Sequence, residues 1–104
     1  MYVVLCNCPP NRAAEIARAI IEERLAACVN LVGPVTSVYE WQGVIETTIE
    51  TTLLIKVPDE KAGLLRARLR ELHPYDVPEI LALPVDIANS EPAYVAWVQR
   101  LGGA

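Results

Sequence analysis

Residues that most protein chemistry depends on are scarce in this chain: one His, three Cys, one Met, five Gly and no Phe among 104 residues. The few glycines fall in no GxGxxG, P-loop or GxSxG pattern, and a single His rules out HExxH. Catalysis therefore has no motif behind it, and the chain is read as a non-enzyme. Cys6, Cys8 and Cys28 are odd in number and make no disulfide framework, which points to a reducing compartment, by default the cytoplasm. No apolar run is long enough to span a membrane. The opening MYVVLCNCPPNR has no basic segment ahead of its apolar stretch, so no signal peptide is expected.

Positive charge is also short. Nine Lys and Arg face thirteen Asp and Glu, for a net charge of −4. Arg12, Arg18, Arg24, Arg66, Arg68 and Arg70 are interleaved with Glu15, Glu22, Glu23, Glu60 and Glu71 along helical stretches, the pattern of solvated faces laced with salt bridges. A nucleic-acid surface would gather its cations on one face, so nucleic acid is excluded as a partner. RNA-recognition modules additionally need aromatics on their central strands, where this chain offers Val, Leu, Thr and Glu.

What the sequence does have is an unusually long hairpin, TSVYEWQGVIETTIETTLLIKV, from Thr36 to Val57. From Val44 onward Ile45, Thr47, Ile49, Thr51, Leu53, Ile55 and Val57 share one face, while Glu46, Thr48, Glu50, Thr52 and Lys56 take the other. Such a strand spans roughly 45 Å, against a radius of gyration of roughly 13 Å for a domain of this size. The hairpin must overhang its own core. A free two-stranded ribbon with an apolar face is marginal in water and invites pairing, so a partner chain is expected to cover it.

The remaining elements follow from period and punctuation. Tyr2 to Cys8 reads as a first, central strand ending at Pro9-Pro10, and Asn11 as the cap of a helix running to about Ala27. Cys28 to Trp41 is a strand kinked at Gly33-Pro34, and Gln42-Gly43 turns the hairpin. Asp59 caps a second helix that His73-Pro74 stops; Pro78 to Ile87 is the fourth strand. Ser90-Glu91-Pro92 opens a last helix with Tyr94, Trp97, Val98 and Leu101 on its buried side and Gly102 at its end. This order defines an α+β, ferredoxin-like βαββαβ sandwich with a C-terminal helix, one domain over residues 1–104.

Candidate ligating residues are few. Cys6 and Cys8 share a strand face at a separation awkward for clamping one ion, and Cys6 and Cys28 read equally as small core hydrophobes. His73 at a helix end needs no further role, but as a neutral imidazole it could join Cys6 on a soft or borderline ion such as copper or zinc. Asp76 and Glu79 lie close enough in sequence to add oxygen ligands. Tyr39 and Trp41, beside the hairpin turn, read as interface anchors.

RLAACVNLVGPVTSVYEWQGVIE (Arg24 to Glu46), HPYDVPEI (His73 to Ile80) and YVAWV (Tyr94 to Val98) closely resemble the CutA divalent-cation tolerance proteins. The resemblance implies a homotrimer built by long hairpins, a cytoplasmic location, a link to tolerance of copper and other divalent metals, and an architecture similar to PII-type signalling proteins. In the family, copper ligands have been placed at a Cys ending the first strand and at two adjacent His before Pro-Tyr. Cys6 and His73 stand at two of these positions, while Leu72 replaces the other His. The alternative implied is a PII-like signalling or scaffold trimer whose clefts between subunits hold a small anionic metabolite or a partner protein, with Lys56 and Arg residues as the feature to seek.

Overall fold

The computed structural model describes residues 1–103. Its elements are β1 (Tyr2–Cys8), α1 (Pro10–Glu22), β2 (Cys28–Trp41), β3 (Val44–Val57), α2 (Asp59–Leu72), β4 (Glu79–Pro84), a short 3-10 turn at Ile87–Asn89, and α3 (Pro92–Gly103). The four strands form one antiparallel sheet in the order β2-β3-β1-β4. This is the ferredoxin-like order expected, with β1 central.

Several boundaries differ, each for a local reason. Proline 9, not Asn11, is the N-cap of α1, and Arg12 N–H donates to the Pro9 carbonyl at 3.0 Å. Pro at the first helical positions needs no donor and is already set at helical φ, so a side-chain cap is dispensable. The helix stops at Glu22, short of Ala27, because Arg24 takes a left-handed φ of 57° and Leu25 N–H returns to the Ile20 carbonyl. Pro58 likewise replaces Asp59 as the cap of α2, leaving Asp59 in the first turn to pair with the terminal ammonium of Met1. β4 is shorter than expected at both ends. α3 continues through Gly102.

The core lies between one sheet face and the helices. Val4, Cys6 and Cys8 of β1 and Leu53, Ile55 and Val57 of β3 point to the same side and pack against Ile16 and Ile20 of α1 and Leu65 and Leu69 of α2. On α3 the inward residues are Val95 and Val98, grouped with Met1. Tyr94 and Trp97, expected on the buried side, stack on each other at 5.7 Å and stay exposed. The buried stripe of this helix is narrow, and the smaller Val pair fills it beside Met1, Ala27 and Val85.

The overhang is real. β1 ends opposite Thr51, so Val44 to Glu50 have only β2 as a neighbour, and the molecule measures 44 × 28 × 21 Å. Gln42 and Gly43, both at positive φ (51° and 81°), form the two-residue turn whose twist matches the strands. Along β3 the apolar face splits in two. Leu53, Ile55 and Val57 are fully buried, whereas Ile45 and Ile49, with Val38 opposite Thr47 between them, are 76%, 54% and 66% exposed. The sheet face away from the helices is also open, showing Leu81 and Leu83 of β4 to solvent.

Candidate functional site: a groove beneath the hairpin arm

Where β1 stops and the arm continues, the chain between α2 and β4 crosses the end of the sheet. His73 closes α2, with its amide bonded to the Leu69 carbonyl, and its ring is buried at 6% exposure. His73 Nε2 lies 2.7 Å from the Asn7 carbonyl at the end of β1, and Nδ1 lies 3.2 Å from the Tyr75 amide. A carbonyl only accepts and an amide only donates, so Nε2 carries the hydrogen and Nδ1 accepts. His73 is thus neither a free surface residue nor an open ligand. It ties the crossing segment to the sheet, with its ring 4.7 Å from that of Tyr75.

Tyr75 in turn donates its hydroxyl to Glu50 Oε2 at 3.2 Å, against the polar face of the arm. Its phenol is pushed up to about 12, first by burial of the hydroxyl and then by the Glu50 carboxylate. The segment and the arm enclose a groove of about 460 Å³ lined by Asn7, Tyr39, Trp41, Glu50, Pro74, Tyr75, Asp76, Val77 and Glu79. The volume falls within the range of small-molecule sites. Tyr39, Trp41 and Glu50 converge because the register sets Tyr39 opposite Glu46 and Trp41 opposite Val44, on the Glu50 side of the ribbon.

Replacing His73 by Ala should leave the Tyr75 amide and the Asn7 carbonyl without their partner and let the segment swing away. In carbon-13 tyrosine spectra, Tyr75 is then expected to titrate near the ordinary value of about 10. His73→Gln, which can donate and accept, should hold it high. A Tyr75 titration unmoved in His73→Ala would show that the imidazole does not position this wall.

Cys6 and His73 are the two residues expected as metal ligands. Cys6 is fully buried in the hydrophobic core, and its thiol is pushed up to about 12 by burial first, then by Cys8, Glu79 and Glu50. Metal binding requires the thiolate, which this site disfavours. Both His73 nitrogens are already engaged. Among the described residues no group of three or more His, Cys, Asp and Glu is arranged to hold an ion. Cys8 stays in its strand, buried, with its thiol 3.8 Å from the Thr51 carbonyl. Cys28, expected as a core hydrophobe, is only half-buried. Three carboxylates line the groove within the chain, and no Lys, Arg or His does. Lys56 instead bonds Asn30. The Glu50–Tyr75 pairing had no sequence signal, because it depends on where the crossing segment lands.

A four-stranded ferredoxin-like sheet with a long β-arm and a groove at its root defines the class: an α+β protein of PII-like architecture. The sequence model of the CutA1 divalent ion tolerance protein family matches residues 2–101, and the chain belongs to that family. It is 45% identical over 102 residues to the divalent-cation tolerance protein CutA of Thermus thermophilus, covering 97% of both chains. It is 46% identical over 96 residues to protein CutA of Mus musculus, covering 91% of this chain and 53% of that one. The chain therefore spans about half the length of the mouse relative. Among solved structures, the PII-like protein CutA from Nostoc in apo form superposes with a TM-score of 0.93 at 40% identity, covering 97% of this chain and 96% of that one. The Thermus thermophilus protein superposes with a TM-score of 0.86 at 45% identity, covering 93% of each chain.

Proposed function

We propose that the chain is a non-catalytic binding protein of divalent-cation tolerance that works in the cytoplasm as a homotrimer, with the groove over Glu50, Tyr75 and Trp41 as its ligand site. The observation that carries this reading is the groove itself, built from aromatic side chains at the root of an arm whose apolar face has no cover within the chain. Sister copies are the fitting cover, since an exposed apolar face of this extent is rare on a monomer. The PII-like likeness supports the same assembly and a ligand-binding role. A thermal-shift screen of small metabolites, with hits repeated on Trp41→Ala, tests it. Hits that lose their shift in Trp41→Ala are expected, and a complete absence of hits would count against the groove.

Weak, exchangeable copper binding through Cys6 and His73 is the second reading, favoured by the family's link to divalent cations and by two borderline-to-soft donors at the same end of β1. It requires Cys6 to lose a proton and His73 to release the Tyr75 amide. Copper titration of the wild type, Cys6→Ser and His73→Ala distinguishes it, because equal affinities in all three would remove the assigned ligands.

A further inference from the structure

Glu50 is 6% exposed, yet among the described residues it has no Lys, Arg, His or terminal ammonium within ion-pair distance. Its one hydrogen bond is the hydroxyl of Tyr75, which meets a single carboxylate oxygen. Buried carboxylates normally have a counter-ion, because removal from water costs several kcal/mol per charge, roughly, unless an opposite charge offsets it. Here none is supplied by the chain itself, and the side chain faces an open groove.

The rest of the lining tells what would complete the pair. Asp76 and Glu79 add two further carboxylates, and no cationic side chain lines the groove. The field this creates is felt nearby: Glu50 and Glu79 both help push up the Cys6 thiol, and Glu50 does the same to Cys8 and Tyr75. An anion would be repelled. A metal ion stripped of most of its water needs three or more donors converging on a point, and the described residues contain no such group. Three aromatic rings, Tyr39, Trp41 and Tyr75, make up much of the wall instead. Aromatic faces beside a buried carboxylate are the recognition chemistry of ammonium groups, which gain both the ion pair and the attraction of the ring quadrupoles.

Resting on the reading of the groove as a ligand site, we propose that it takes a small organic ammonium cation, with Glu50 as its counter-ion and Tyr39, Trp41 and Tyr75 as its aromatic walls. The ligand class follows from charge and surface alone: a compact cation with alkyl substituents satisfies the carboxylate and covers the rings, whereas a neutral compound leaves Glu50 unpaired.

The test uses the full chain carrying Trp97→Phe, which leaves Trp41 as the only indole of the two in the sequence. Choline chloride, its neutral isostere 3,3-dimethylbutan-1-ol, and sodium acetate are titrated at constant ionic strength while Trp41 emission is followed. Choline should give a saturable change, and the other two should not. Glu50→Gln keeps an acceptor for the Tyr75 hydroxyl but loses the charge, and should weaken choline at least tenfold. Should that variant unfold, Asp76→Asn with Glu79→Gln replaces it, with a smaller loss expected. Equal responses to choline and the isostere, or full affinity in Glu50→Gln, would overturn the ammonium assignment while leaving the groove a ligand site. No saturable response to any of the compounds, as when a sister copy's Lys or Arg already fills the groove, would overturn this proposal alone if metabolites still shift the melting temperature, and both readings if they do not.

Discussion

Ile49→Asp is expected to convert the proposed trimer into monomers at micromolar concentration, as read by sedimentation velocity. Ile49 is 54% exposed on the arm, on the same face as Ile45 and Val38. Covering a side chain of this kind contributes about 1.5–3 kcal/mol, and a carboxylate in its place must be desolvated without a partner. A closed trimer has three equivalent interfaces, so the loss is incurred three times. At about 1.4 kcal/mol per tenfold, even the lower figure shifts dissociation by several orders of magnitude. The substitution leaves the monomer's own core intact, because Ile49 packs on nothing within the chain that qualifies as core. A variant that still sediments as a trimer would show that the arm is covered elsewhere or not at all. A wild type that is monomeric in dilute solution would remove the assembly from the proposal.

Leu53→Ala should lower stability by about 2–5 kcal/mol, the range for emptying a large aliphatic side chain from a packed site. Leu53 is fully buried, sits opposite Cys6 on β1 and Leu31 on β2, and faces the helices with Ile55 and Val57. Ile45 lies eight positions earlier on β3, has the same parity and belongs to the same sequence pattern. Urea unfolding at fixed protomer concentration measures the effect, since assembly adds its own concentration-dependent stability. A loss below about 1 kcal/mol would mean that the site collapses around the gap or that Leu53 is not a core residue.

These two positions also show how far the sequence could be read. The alternation from Ile45 to Val57 is uniform, and it gave the strand, its faces and its length. It could not say where along the strand the helices stop covering the apolar side. That limit is set by the end of β1 opposite Thr51, a fact of register between segments far apart in the chain. Tyr94 and Trp97 show the same gap on a helix. Their spacing marked an apolar stripe, but Val95 and Val98 took the buried place beside Met1, and the aromatics were left outside.

For the site, the residue types were legible and their relations were not. His73 stood out as the only imidazole, and Cys6 as a donor on a strand. Nothing in their spacing indicated that one would be tied at both nitrogens and the other sealed in the core. In the sequence Glu50 is only one of five polar residues on the other face of the strand, with Glu46, Thr48, Thr52 and Lys56. It became the buried carboxylate of the groove only because the Pro74 to Glu79 segment passes over that face.

Local composition determined the element order, the antiparallel hairpin and the overhanging arm, because side-chain period, proline placement and strand length act within short stretches of chain. Burial, ring tautomer and the pairing of charges arise between distant stretches, so only the tertiary structure decided which apolar residues are core, what His73 bonds, and that Glu50 faces a groove without a cation.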